Sequence, residues 1–98
     1  MPKGYWVVTY RAVRDQQQLA AYAALSGPAV AAFGGRFLVR GPAAHAYELG
    51  AQQRTVVIEF DTLAAAVAAH DSPAYREALA VLADAAERDF RIVEGAGG

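Results

Sequence analysis

Four runs rich in β-branched and aromatic residues, separated by stretches of helical spacing, restrict the fold of this sequence more than any other feature. Gly4 to Arg11 (GYWVVTYR), Arg36 to Arg40 (RFLVR), Arg54 to Phe60 (RTVVIEF) and Asp89 to Glu94 (DFRIVE) read as strands. Between the first two, Asp15 with Gln18 three residues later marks a helix N-terminus, because the aspartate side chain can accept from free backbone N–H groups there. Leu19, Tyr22, Ala23, Ser26, Val30 and Phe33 then recur at helical spacing. Pro28 inside this stretch predicts a kink or a restart. Gly34-Gly35 ends it, since glycine accepts the left-handed conformation that follows a helix.

Gly41 to Gln53 is long for a hairpin loop and predicts a short extra strand at Ala44 to Glu48. Asp61-Thr62 caps a second helix with Leu63, Ala66, Val67 and His70 on one face. Ser72-Pro73 restarts a helix, with Ser as N-cap, Pro pre-set for the first turn, and a stripe of Tyr75, Ala78, Leu79, Leu82, Ala85 and Ala86. Gly95 to Gly98 should fray. The order β-α-β-β-α-β is that of a ferredoxin-like split unit. The expected fold class is therefore α+β: one domain over residues 1–98, a four-stranded antiparallel sheet with helices on one face.

Strand side chains alternate between faces. Phe37 and Val39, Val56, Ile58 and Phe60, and Phe90 and Ile92 form an apolar set that should meet the helices. Arg36, Leu38 and Arg40, Thr55, Val57 and Glu59, and Arg91 and Val93 form the other set. In the first strand both sets are large, and alternation alone does not choose between them. The second face has an apolar middle and charged margins. Such a patch is a liability for a monomer, and a two-fold homodimer is the common remedy.

Composition narrows the function. At 98 residues and 55% hydrophobic, the chain can build one core. With no cysteine it has no disulfide framework, thiolate site or cysteine nucleophile. No run approaches the ~20 apolar residues of a membrane span and the start carries no apolar signal segment, so no membrane role and a cytoplasmic address are expected. Nine basic and ten acidic side chains are interspersed rather than gathered into a basic stripe, which speaks against nucleic acid.

The strings Gly34-Gly35-Arg36-Phe37-Leu38-Val39-Arg40-Gly41, Val57-Ile58-Glu59-Phe60, Ser72-Pro73-Ala74-Tyr75 and Ile92-Val93-Glu94-Gly95, with the opening Lys3-Gly4-Tyr5-Trp6, resemble domain-of-unknown-function family 1330 (DUF1330) in order over nearly the whole chain. The resemblance implies the dimeric α/β-barrel superfamily, in which two ferredoxin-like subunits pack sheet against sheet. That superfamily includes cofactor-independent monooxygenases, isomerases, cyclases and haem proteins, so it implies no single activity. Where relatives carry an arginine in the last helix this chain has Leu82. His70-Asp71 stands where an aromatic residue and Asn are usual. The resemblance thus implies a different, more apolar pocket.

Candidate chemistry rests on few side chains. His70, at a helix end, titrates near neutrality and is the leading general acid–base candidate; the alternative is a half-buried capping residue. His45 lies in the long loop beside Tyr47 and Glu48, where loops over pocket mouths often carry function. Arg36, Arg40 and Glu59 fall on one predicted sheet face, where the arginine fork suits either the glutamate or an acidic ligand. Tyr5, Tyr22 and Tyr75 offer aromatic surface with polar tips, and Tyr22 and Tyr75 should point from helices toward the sheet. Ser26 and Ser72 are explained as helix-face and N-cap residues. Two histidines without metal-ligand spacing indicate no metal site, and no phosphate loop or cofactor motif is present. Two readings follow. One is an enzyme without a bound cofactor, of oxygenase, isomerase or cyclase type, acting on a small hydrophobic or aromatic metabolite. The other is a non-catalytic small-molecule-binding or stress-associated dimer.

Overall fold

The computed structural model describes residues 2–97. Gly98, at the end of the tail expected to fray, lies outside them; Gly95 is held by its N–H donating to the Lys3 carbonyl at 2.7 Å. The elements are β1 (Gly4–Val13), α1 (Gln16–Ala32), β2 (Arg36–Pro42), β3 (Arg54–Phe60), α2 (Leu63–Asp71), α3 (Pro73–Leu82) and β4 (Ala86–Glu94). The sheet has the order β2-β3-β1-β4 with antiparallel neighbours throughout, so each helical crossover skips one strand. This is the ferredoxin-like α+β fold.

The helices start where capping chemistry places them. Asp15 accepts from the Gln18 N–H at 3.0 Å, Thr62 from Ala65 at 3.0 Å, and Ser72 from Tyr75 at 3.2 Å. Gly34 ends α1 with φ of 76°, the left-handed region open to glycine. Pro28 does not restart the helix: α1 runs unbroken across it. The carbonyl that Pro28 leaves without a donor belongs to Ala24, and both residues are exposed, so water can take the missing place.

The inward face of β1 is Trp6, Val8 and Tyr10, all buried. They join Val56, Ile58 and Phe60 of β3 beneath Leu19, Tyr22, Val30, Tyr75 and Leu82 of the helices. Trp6 is the hub. Its ring centroid lies 5.3 Å from Phe60, 4.8 Å from Tyr75 and 5.1 Å from Phe90, and its indole N–H donates to the Ala66 carbonyl at 2.8 Å, fixing α2 to the sheet.

Four sequence expectations need correction. A β-bulge in β2 pairs Phe37 with Ile58 but Val39 with Val57 and Arg40 with Val56, leaving Leu38 extra. Beyond it the faces exchange: Val39 turns outward at 46% exposure, and Arg40 turns to the helix side. Second, no strand forms at Ala44 to Glu48; Glu48 takes φ of 55° in a turn that Gly50 closes on the Tyr47 carbonyl. Third, α3 ends at Leu82, and Ala86 belongs to β4, which begins three residues before the predicted start at Asp89. Fourth, Val67 on α2 is exposed while the alanines Ala66 and Ala69 pack where α2 lies close on β1, with the Trp6 indole bonded to the Ala66 carbonyl and no room for a Cβ on Gly4 beside Leu63.

Candidate functional site

Cross-strand register builds the site. On the helix side of the sheet, Arg40 sits beside Val56; further along, Tyr10 of β1 pairs with Arg88 of β4, and Arg54 of β3 reaches over the Tyr10 ring. These arginines continue core stripes. Arg54 is in phase with Val56, Ile58 and Phe60, and Arg88 with Phe90 and Ile92. Their guanidinium groups lie over rings: Arg40 is 4.4 Å from the Phe37 centroid, Arg54 5.8 Å from Tyr10, and Arg88 5.1 Å from Tyr22.

Between this end of the sheet and α1 is a recess of about 480 Å³ with its open mouth included, of which about 40 Å³ admits the centre of a water molecule. Its walls include Trp6, Val8, Tyr10, Tyr22, Ile58 and Phe90, with Arg40, Arg54 and Arg88 at its polar side. Arg88 donates to the Tyr22 hydroxyl at 3.1 Å, and Tyr22 meets the Tyr75 hydroxyl at 2.7 Å. Burial pushes the Tyr75 phenol upward and Tyr22 beside it adds to the rise, so it stays protonated. Burial opposes the charge on Arg88, while the hydrogen bond that it donates to the Tyr22 hydroxyl favours it, and the guanidinium stays charged.

The outer face carries a separate network. Tyr5 donates to Glu59 Oε2 at 2.9 Å, while Arg36 reaches Glu59 Oε1 at 3.0 Å and Asp61 at 3.1 Å. Hydrogen bonds from Tyr5 and then Arg36 hold the Glu59 carboxyl below its ordinary range. Around this network lie Leu38, Val39 and Val93, each about half exposed, with Val7 and Val57 between them.

The structure therefore divides the predicted residues. Tyr22 and Arg40 line the recess and Tyr75 stands behind it, whereas Tyr5, Arg36 and Glu59 belong to the outer face. Arg40 does not share a face with Arg36 and Glu59, because the bulge intervenes. His70, at the end of α2, contacts Asp71 Oδ1 at 3.1 Å and packs on Tyr75 and Phe90 at 5.5 and 5.2 Å; it does not line the recess. His45 is exposed on the 43–53 loop and borders a depression on the outer side with Tyr47, Arg11 and Arg91.

The profile of the family described as "Domain of unknown function (DUF1330)" matches residues 3–96. The chain belongs to the DUF1330 family. Among curated proteins none is significantly similar to it. The solved structure of RPA0582, a protein of unknown function from Rhodopseudomonas palustris, superposes with a TM-score of 0.75 at 19% identity, covering 99% of this chain and 85% of that one. A dimeric ferredoxin-like protein of unknown function from Thermobifida fusca gives 0.56 at 17% identity over 95% and 91% of the two chains. A protein from Nitrosomonas europaea, provisionally named an antibiotic biosynthesis monooxygenase, gives 0.59 at 15% identity over 97% and 90%. At these identities the likeness shows the fold.

In this DUF1330 chain the sequence reading missed Arg54 and Arg88. The signal was present: each arginine stands two residues before an apolar residue of a core stripe, so alternation directs both inward. The recess has Arg40, Arg54 and Arg88 on its polar side.

Proposed function

We propose that the protein is a homodimer, joined through the outer faces of its sheets, whose subunits each hold a small flat molecule in the recess between sheet and α1. One observation carries the ligand reading: the Tyr22 hydroxyl and the guanidinium groups converge on space that no side chain fills. Apolar walls with a few convergent polar groups are the usual form of a small-molecule site. The dimer is supported by the exposed apolar patch of Leu38, Val39 and Val93, and by fold relatives described as dimeric, from Thermobifida fusca and Bacteroides fragilis.

Binding and positioning suit this recess better than proton transfer by His70, since among the described residues no histidine, aspartate or glutamate lines it. An oxygenase reading keeps one support, the fold shared with proteins provisionally named monooxygenases, and requires a substrate that is itself electron-rich. Native mass spectrometry should give twice the chain mass, and Val57→Asp at the centre of the outer face should give monomer. A wild-type monomer refutes the dimer. NMR titration with small ring compounds should shift signals of Trp6, Tyr22 and Ile58, and His70→Ala should leave those shifts in place. Silence at all three positions refutes the ligand site.

A further inference from the structure

Donors outnumber acceptors throughout this recess. Lys3, Arg11, Arg14, Arg36 and Arg91 each have a carboxylate partner. Among the described residues no ion pair forms at Arg40, Arg54 or Arg88, the three arginines of the recess, and no Asp or Glu lines it. The remaining cation, Arg76, is exposed and donates to the Asp71 carbonyl. The Arg54 Nε is buried with no hydrogen-bond partner. A buried N–H without an acceptor is costly, and converging like charges add to that cost.

The phenols add a further donor. Tyr75 is fully buried; beside its hydroxyl stand Arg88, which can only donate, and the Tyr22 oxygen, the one side-chain acceptor within its reach among the described residues. To be satisfied it must donate its proton to the Tyr22 oxygen, which already accepts from Arg88. With both lone pairs taken, Tyr22 has its own O–H left to donate, and Tyr22 lines the recess. The polar side thus presents guanidinium N–H groups and one phenolic O–H. Behind them stand the rings of Tyr10, Trp6 and Phe90.

Resting on the ligand-site reading above, we propose that the recess binds a small aromatic carboxylate, its oxygens held by Arg54, Arg88, Arg40 and the Tyr22 O–H, its ring against the apolar wall. A planar carboxylate matches the arginine fork and carries the acceptors this site lacks. Ligand entry draws the guanidinium groups off the rings they now cover.

The test is titration with benzoate, its neutral isostere benzamide, and inorganic phosphate, followed by calorimetry and by the fluorescence of Trp6, the single tryptophan. Benzoate should bind at least about tenfold more tightly than benzamide, as a charge-assisted pair requires, and the margin should narrow with added salt. Arg40→Gln and Arg54→Gln, at positions outside the buried core, should each weaken benzoate about tenfold and leave benzamide unchanged. Arg76→Gln should change neither, and thermal unfolding confirms that each variant is folded. Equal binding of benzamide and benzoate, or no effect of either recess variant, overturns the anion assignment and leaves the ligand site standing. Phosphate binding as tightly as benzoate overturns the carboxylate. No response to any ring compound overturns both readings.

Discussion

Gly35, between α1 and β2, shows how closely single residues set this packing. A Cβ there would stand 2.8 Å from the Phe60 ring and press on Val30, two of the most buried side chains. Gly35→Ala should therefore destabilise the fold by about 1–3 kcal/mol, as overpacking of a filled core does, measured by urea unfolding against wild type. The residue scale is also where the site was hardest to read from sequence. A lone arginine before an apolar run looks like a polar strand end. The register that sets Arg88 opposite Tyr10, with Arg54 over its ring, is known only once the sheet is assembled. Tyr22 and Tyr75 were legible, because helical spacing fixes both relative to Leu19 and Ala78 on buried stripes.

Elements were legible where a cap or a glycine marks their ends and illegible where the marker is conformational. Asp15, Thr62, Ser72 and Gly34 all act as their residue types suggest. The end of α3 has no such marker. Ala83 closes it with φ of 47° and ψ of −121°, a conformation that suits glycine and strains any residue bearing a Cβ. Alanine there reads as more helix, which is why Ala85 and Ala86 looked like a continuing stripe. Ala83→Gly should raise stability by about 1 kcal/mol, since relief of such strain is of that order, seen as a higher midpoint in denaturant with an unchanged slope. The loop at 43–53 escaped for a different reason: its length suggested an extra strand at Ala44 to Glu48, but Glu48 turns the chain.

For the whole molecule, the two sheet faces differ in charge logic. The recess holds cations without anions, while the outer face pairs them, and the pairing sets the response to acid. Hydrogen bonds from Tyr5 and Arg36 lower the Glu59 carboxyl below its ordinary 4.5; those from Arg36 and Lys3 lower Asp61 below 3.8; Arg91 lowers Asp89. Groups depressed in the folded state stabilise it fully above their unfolded values, and that contribution is lost as pH falls through the folded ones. Stability should thus be level from neutrality to about pH 5 and fall below about pH 4.5. Glu59→Gln should flatten the first part of that fall in thermal melts run across pH; an unchanged acid limb would remove Glu59 from the account.

The bulge at Leu38 makes this protein tolerant of one particular change in length. Removing a residue from a strand ordinarily turns every later side chain to the opposite face. Here Leu38 is the surplus residue, so its deletion leaves Val39 opposite Val57 and Arg40 opposite Val56. The shortened chain should fold and retain arginine at the mouth of the recess. Deletion of Val57, in the uninterrupted ladder of β3, should abolish folding. A deletion scan read by circular dichroism would therefore find, within the strands, a permissive position marked by a backbone irregularity rather than by any residue type.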